Sequence, residues 1–507
     1  MLALRAGWKR NLLSTPTTGK GGVVLDADSA LKVARRLYGR LSGRRDEIAT
    51  FDSYYAGEQA LQFASKEWAD FHQNQYAQFS DNWTAVVADA LNERVRVEGV
   101  RTEDEAADKQ LWEFWRRNDM GAQSSQGFLE TIIAKRSFVL VWGTDDGGPV
   151  ATWEHPSQVI VDYDPASNGR VKTAALKSWT DDDTEYMFLY TASHVWKWSR
   201  PFMPIEDGRT ASGLFVDGAN VGDGLALDGW TEYQASEDDV WPVPNPMGKI
   251  PVVEFPNRPR LKVGPMSDIA GAKDMQDAIN LMWAYLFGAA DHASLPARVV
   301  MGQQPPKVPI LDKDGQKIGE QPVPISDLKQ KRILWLTGEH SKIGEWSRAD
   351  LETFSKVIEI AVGHLGGQSR TPAHYFVANK GLSNINGETL IATETPLVKK
   401  TEEFELYSQR PMGEVWELLA LASDDARLAE IGRGATTLFA NAAIRSDSQR
   451  SDAMLKDRKA GYPFKYLLEK YGESPETIDR IMEMRAEEAW DPQFQELADR
   501  LSEDVGL

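Results

Sequence analysis

The chain has no cysteine in 507 residues. This excludes disulfide bridges, thiolate metal sites, cysteine nucleophiles and dithiol redox chemistry together, and it fits assembly in a reducing compartment. Long apolar runs are also missing. The longest, Leu281 to Ala290, falls far short of the roughly 18 residues that suggest a membrane span. No apolar signal-peptide core precedes a small-residue cleavage site at the N-terminus. A soluble protein with no membrane contact, made in the cytoplasm, is expected. Positive charge is in short supply as well: 57 Lys+Arg face 76 Asp+Glu, for a net charge of −19. Phosphate binding needs clustered positive charge, so a general nucleic-acid coat is excluded, and any contact with DNA must be local or weak.

Catalytic constellations are missing too. His72, His155, His194, His292, His340, His364 and His374 are scattered through the chain, with no HExxH among them, and each reads as a core or surface residue. Thr18-Gly19-Lys20-Gly21 matches a phosphate-binding loop only in part: Ser14 stands where the first Gly belongs, and Gly21 where a hydroxyl would bind magnesium. Asp312-Lys313-Asp314-Gly315 begins like a calcium loop, but its Gly comes early and no Glu closes it. Asp181-Asp182-Asp183 sits between two strand candidates and reads as a solvated turn. Gly222-Asp223-Gly224 has no strand-to-helix context, and no GxSxG occurs. No enzyme activity, metal or cofactor is expected.

What is present is a strong change of periodicity along the chain, and the order of elements predicts an α+β, mainly helical protein. Residues 1–29 lack periodicity and read as an arm. From Met1 to Arg45 there are ten Lys/Arg and two acids, so the start is locally basic. Asp28–Ile48 is predicted helical, with Leu31, Ala34, Tyr38 and Leu41 on one stripe. An aromatic-rich stretch from Phe51 to Trp83 reads mainly as core. Helices are predicted over Asn82–Val95, 103–118 and 124–135. From Ser137 the period becomes two, and Ser137–Trp142, Val150–Glu154, Val159–Tyr163, Val171–Thr180, Glu185–Tyr190 and His194–Ser199 are strand candidates of an antiparallel meander. Residues 205–240 carry nine acids and one Arg and read as a solvated insertion. Ile250–Phe255 is a last strand.

Two long amphipathic helices then bracket a compact insert. The first is predicted from Asp268 to about Ala290, with Ile269, Ala272, Met275, Ile279, Met282 and Leu286 repeating every three or four residues. The insert, 294–346, has short strands at Val299–Met301, Lys317-Ile318 and Ile333–Leu336, and a hairpin turn at Asp314-Gly315. The second helix is predicted from Arg348 to about Leu365, with Ser347 and Asp350 as a capping-box variant. Its stripe is Leu351, Phe354, Ile358, Ala361 and Leu365, and Gly366-Gly367 is expected to stop it. A polar loop over 376–387 leads to a very long helix, Glu388–Ala422, with Pro396 and Pro411 inside, each favouring a kink. Two or three helices and an acidic tail finish the chain.

Several segments resemble the portal proteins of tailed bacteriophages, in particular those of phages of actinobacteria. Phe51-Asp-Ser-Tyr-Tyr-Ala-Gly-Glu58 is similar to the family's Tyr-Tyr-x-Gly motif, and Phe79-Ser-Asp-Asn-Trp-Thr-Ala-Val-Val-Ala-Asp-Ala-Leu-Asn-Glu-Arg94 to the helix that follows it. His155-Pro156 and Asp162-Tyr163-Asp164-Pro165 resemble its meander. Ile250-Pro-Val-Val-Glu-Phe-Pro-Asn257 resembles the strand before the first stem helix, and Ala440-Asn-Ala-Ala-Ile-Arg-Ser-Asp-Ser-Gln449 the C-terminal segment. The order of these segments, with the helix–insert–helix layout, makes the resemblance specific over about residues 30–490.

The resemblance implies a ring, usually of twelve copies, at one capsid vertex, through which double-stranded DNA is packaged and ejected. It implies an arm (1–29), a wing (30–265), stem helices (266–293 and 347–367) around a small α/β clip (294–346), a tunnel loop with a kinked wing helix (368–439), and a helical crown and tail (440–507). Implied partners are the large terminase, the head-completion adaptor, and the major capsid and scaffolding proteins. The implied location is the virion, after assembly in the host cytoplasm. Asn379, Lys380, Asn384 and Asn386 would face DNA on the tunnel loop. Lys307, Lys313, Lys317, Lys329 and Lys331 would face partners on the clip. An acidic wall suits this role, because a basic wall would grip phosphates and an acidic one lets duplex slide. Two other readings stay open at this point: another phage structural protein without a DNA channel, such as a head or baseplate component, and a carboxylate-dependent metal nuclease.

Overall fold

The structure, a computed structural model, describes residues 25–62, 66, 79–144, 148–167, 169–202, 229–236, 239–294, 298–301, 307–311, 317–322, 333–336, 350–376, 387–443, 447–471, 473 and 475–490. In chain order it runs through helices α1 (Ala27–Ala56) and α2 (Trp83–Asn92), strand β1 (Val97–Arg101), and helices α3 (Glu105–Arg117) and α4 (Met120–Ile133). Strands β2 (Arg136–Gly143), β3 (Pro149–Glu154), β4 (Val159–Tyr163), β5 (Lys172–Asp181), β6 (Thr184–Tyr190), β7 (His194–Pro201), β8 (Thr231–Glu232), β9 (Val243–Pro244) and β10 (Val252–Pro256) follow. Next come helix α5 (Lys273–Ser294), strands β11 (Arg298–Met301), β12 (Lys307–Leu311), β13 (Lys317–Pro322) and β14 (Ile333–Leu336), and helix α6 (Leu351–Ser369). Helix α7 (Gly387–Ala422), α8 (Ala426–Arg433), β15 (Thr436–Phe439), α9 (Asp447–Lys459), α10 (Phe464–Lys470) and α11 (Pro475–Trp490) complete it. The mixture of helix and sheet is as expected.

The chain divides into two compact units: one of 1–56, 84–272 and 366–507, the other of 57–83 and 273–365. The larger unit is layered. The stripe of α1, Ala30, Ala34, Leu37, Tyr38 and Leu41, packs on one face of an antiparallel sheet ordered β4-β5-β6-β7-β8, with β9 also on β7. Alternation along β5 explains the two faces: Ala174 and Leu176 point to α1, while Ala175 joins Val159, Val161 and Tyr190 against Phe138, Ile250 and Val252 of a second sheet. That second sheet, ordered β10-β2-β3, packs its other face on α4 and α7. There the Phe128 ring lies 5.2 Å from Trp153, 6.0 Å from Phe255 and 5.5 Å from Phe404. Gly127 is required at this contact, because a Cβ there would sit 1.9 Å from the Trp153 indole.

The single meander expected from Ser137 onward is therefore two sheets. Strands β4 to β7 do follow one another as a meander, with Asp182 and Asp183 making the two-residue turn between β5 and β6; Asp182 takes φ 50°. Strands β2 and β3 instead pair with the distant β10. A third, two-stranded sheet was not expected: β1 pairs antiparallel with β15, joining residues more than 300 apart in sequence. Both prolines of α7 lie within one continuous helix.

In the smaller unit, β11 pairs parallel with β14 and β12 antiparallel with β13. Helix α5 begins at Lys273, not at Asp268, because Asp268 is turned inward to form ion pairs and cannot cap. Its buried face is also more polar than the apolar repeat implied. Ile279 and Ala284 are fully buried, but so are Gln276 and Asn280, while Met275, Met282 and Leu286 are half-exposed. Gln276 donates to the Asp81 carbonyl (2.6 Å) and accepts from the Trp83 N–H (2.8 Å), and Asn280 accepts from the Asp81 N–H (3.0 Å). The Trp83 and Trp283 indoles both donate to the Asp81 carboxylate, at 2.9 and 2.7 Å, and Phe79 packs edge-on against Phe287 at 5.1 Å. The segment before α2 is thus clamped along α5 by amides and aromatics.

Helix α6 starts at Leu351. Its cap is Asp350, which accepts from the Glu352 N–H (3.0 Å) and the Thr353 hydroxyl (2.9 Å), while Ser347 lies outside the described residues. Ile358 and Leu365 of the expected stripe are buried. Gly366 and Gly367 do not stop the helix; it continues to Ser369 and ends where Arg370 takes φ 59°. The Thr371 N–H then closes on the Gly366 carbonyl at 3.0 Å.

Candidate functional site

The residues 377–386, which hold Asn379, Lys380, Asn384 and Asn386, lie outside the described residues. Their two flanks are described, and both carry buried ion pairs. On the N-terminal side, Ala373–Tyr375 makes one 3-10 turn and Phe376 is buried. On the C-terminal side, α7 begins at Gly387 and carries Glu394 one to two turns in, 6% exposed.

Arg94, just past the end of α2, ties these flanks together. Its guanidinium donates to the Tyr375 hydroxyl (2.8 Å), the Glu394 carboxylate (2.5 Å) and the Ala442 carbonyl (2.9 Å). His374 Nε2 meets the other Glu394 oxygen at 2.6 Å. One carboxylate thus joins both flanks directly and through Arg94. A buried carboxylate is tolerated only when paired and hydrogen-bonded, and Glu394 is both.

A second knot locks the turn that leads into this region. Asp268, 6% exposed, pairs with Arg258 at 2.5 Å and accepts from the Asn257 amide at 2.9 Å. Lys400 of α7, 2% exposed, reaches the same carboxylate at 3.4 Å and donates to the Ser369 carbonyl at 3.1 Å. Burial pulls the Lys400 ammonium below the usual lysine range, and the Asp268 charge opposes that pull. Arg258 takes φ 41°, an unusual backbone for a non-glycine residue, where the chain turns to present its side chain to Asp268. Gly366 belongs to the same lock: a Cβ there would sit 3.0 Å from the Phe376 ring and 3.2 Å from the Thr371 carbonyl.

Chemically the arrangement is an anchor: each carboxylate faces two basic side chains, Glu394 with Arg94 and His374, and Asp268 with Arg258 and Lys400. The anchor fixes the two ends of a ten-residue segment against one helix. Sequence reasoning assigned no role to these anchor residues: Arg94, His374, Asp268, and the pair Glu394 and Lys400 of α7 come from four separate stretches. Arg94 is the last residue of a segment that resembles the family's, and Asp268, Glu394 and Lys400 lie in predicted helices.

Of the expected clip lysines, Lys307 and Lys317 are among the described residues. Lys307 opens β12 and is exposed; Lys317 opens β13 opposite Leu311, at the far end of the same ladder. At ~3.4 Å per residue their backbones stand about 13 Å apart. Lys313, Lys329 and Lys331 lie outside the described residues. Among the described residues, one group of three metal-ligating side chains occurs, Asp52, Glu130 and His155, and it shares no member with either knot. No helix of the described residues is long and apolar enough to cross a membrane.

A family model described as phage portal protein, SPP1 Gp6-like, matches residues 36–489. The portal protein of Mycobacterium phage L5 is 25% identical over 347 residues, covering 65% of this chain and 61% of that protein. That of Mycobacterium phage D29 is 24% identical over 332 residues, covering 62% of this chain and 59% of that protein. The chain thus spans about three-fifths of the length of these curated relatives. Among solved structures, a chain from the virion of a native gene transfer agent particle aligns with a TM-score of 0.37 at 10% identity, over 82% of this chain and 90% of that one.

Proposed function

This chain belongs to the SPP1 Gp6-like family of phage portal proteins, and from that premise we propose that it assembles into a ring, of twelve copies, at one vertex of the capsid. The ring is a channel for double-stranded DNA during packaging and ejection, and the protein performs no catalysis of its own. The family match over 36–489 carries the reading. In it the wing corresponds to the layered helices and sheets of the larger unit, the stem to α5 and α6, the clip to β11–β14, and the crown to α9–α11. The clip, with Lys307, Lys313, Lys317, Lys329 and Lys331, is the proposed docking face for the large terminase and then for the head-completion adaptor. Capsid and scaffolding proteins surround the ring, which ends in the virion after assembly in the host cytoplasm.

Residues 377–386 are proposed as the tunnel loop, with Asn379, Lys380, Asn384 and Asn386 toward DNA. The anchor at their flanks supports this. A loop that meets moving DNA must keep its ends fixed while its middle yields, and the Arg94–Glu394–His374 knot fixes both ends. Native mass measurement is expected to give a particle of about 680 kDa for a closed ring of the 56.6 kDa chain. Monomers or dimers alone at high concentration would refute the ring. Lys380→Ala is expected to leave the ring intact and to lower the DNA packaged per particle; normal phage yield would remove Lys380 from this role.

A further inference from the structure

We propose that the turn between α9 and α10 is a docking surface for helix α11 of the next copy in the ring. Such a contact presupposes the ring reading and names one surface that would close it. Two neighbouring stretches of the chain carry opposite charge. Residues 456–470 hold five Lys/Arg and two acids, whereas residues 475–490 hold five acids and two Arg. In a chain of net charge −19 the first stretch is an exception. Its surface is also apolar. Tyr462 of the turn and Tyr466 of α10 are 45% and 47% exposed, with their rings stacked 5.8 Å apart. Arg458 donates to the Tyr462 carbonyl at 3.0 Å, and the Lys470 ammonium lies 5.3 Å from the Tyr462 ring centre. Lys459 ends α9, Lys465 precedes Tyr466, and both are exposed. Paired aromatic rings left in water with cations beside them mark a contact surface.

The counter-face stands on α11. Glu483, Met484 and Glu487 fall within about 100° of arc on that helix. All three are exposed, Met484 at 49%. Among the described residues, Lys459 and Lys465 have no carboxylate partner, and Glu483 and Glu487 form no ion pair. Lys109, whose charge reaches Glu483, is held by Asp479 at 3.2 Å. The two faces do not meet within one chain. Helices α10 and α11 already touch, with the Arg485 guanidinium 4.5 Å from the Phe464 ring centre, and both faces stay exposed beside that contact. A face and a counter-face that do not pair within one chain make a heterologous contact between copies, and such contacts close into rings. Each copy would give its tyrosine face to one neighbour and its α11 face to the other. The Met484 thioether would lie against the tyrosine rings. Glu483 and Glu487 would meet Lys459 and Lys465, setting register more than strength. Duplex DNA would use the cations alone and leave the stacked rings and the acidic face unexplained.

With no native cysteine, introduced thiols are the only ones in the chain. The full-length chain carrying Lys465→Cys and Glu487→Cys together is to be assembled and treated with a short bismaleimide. A ladder of covalent multiples of 56.6 kDa beyond the dimer is expected on a denaturing gel. Each single variant should give nothing beyond the dimer. Lys459→Glu with Lys465→Glu should raise the chain concentration at half-assembly, read by native mass measurement, by about tenfold or more. Adding Glu483→Lys with Glu487→Lys to that chain should restore assembly. A ring whose double-cysteine chains stay monomeric on the gel would overturn the contact and leave the ring standing. Charge-reversed chains that assemble like the wild type would overturn it too. So would loss of binding to a duplex oligonucleotide with assembly unchanged, which would assign the face to DNA. A wild type that forms no ring would remove the ring reading and this contact with it.

Discussion

The flanks of residues 377–386 are held by buried ions, whereas the segment before α2 is held along α5 by amides and indoles. Both attachments join stretches far apart in sequence. They differ in what happens when one partner is lost. At the flanks, deletion of either charge strands the other in a site with little water. Along α5, deletion of an amide leaves a backbone N–H short of one bond, a smaller loss. A charged anchor is thus all-or-none, and an amide clamp yields by steps. The stiffer device stands where the family reading needs fixed ends.

The largest effect should come from Glu394→Ala, which leaves Arg94 buried with only neutral acceptors. The loss is expected at about 3–5 kcal/mol of unfolding free energy. It should appear as a lower urea midpoint at fixed chain concentration. A loss below about 1 kcal/mol would break the comparison, because the pair would then be no stronger than an exposed one.

Asn280→Ala should cost less, about 1–2 kcal/mol, the net worth of a hydrogen bond plus the group left unpaired. The expected signature is local. The emission of Trp83 and Trp283, both bonded to Asp81, should change before the rest of the chain unfolds. A cost equal to that of Glu394→Ala would mean that the clamp is as brittle as the anchor.

The elements were largely legible because α1, α6 and β4–β7 bury faces whose period matches their geometry. Tyr38 and Leu41, or Ile358 and Leu365, announce themselves by spacing alone. The errors have physical causes. Asp268 looked like the first residue of α5 because local sequence cannot show that Lys400, in a distant helix, needs a carboxylate. Gly366 looked like a stop, but it is glycine to admit the Phe376 ring. Strands β1 and β15 are short and pair across most of the chain, so neither carries a turn signal. Polar residues on a buried face, such as Gln276 and Asn280, break the apolar repeat that defines a stripe. The anchor was illegible for the same reason: Arg94, His374 and Glu394 in one knot, and Asp268 and Lys400 in the other, meet only through tertiary structure.

The smallest effect tests the opposite case, a carboxyl that is partly buried without a cation. Glu405 lies in the same helix as Glu394, but its Oε1 has no hydrogen-bond partner. Burial, helped by the neighbouring Glu402 charge, pushes its carboxyl up to about 8 from an ordinary 4.5. The groove around it adds Glu98, Glu469 and Glu473, with Arg101 as the one cation among its lining residues. Between about pH 5 and pH 8 the folded chain holds a proton here that the unfolded chain has released, so this group lowers stability as pH rises through that window. Glu405→Gln should therefore stabilise the chain at pH 8 by about 1 kcal/mol, scaled down for the partial exposure of the side chain, and change little at pH 5. Unfolding midpoints of both forms across the window check this. If the variant were destabilised at pH 8, Glu405 would be a paired ion after all, and the contrast between carboxylates with and without a cation on one helix would fail. If the two curves converge at low pH and part above pH 7, then burial of a carboxylate without a paired cation is what lowers stability at Glu405.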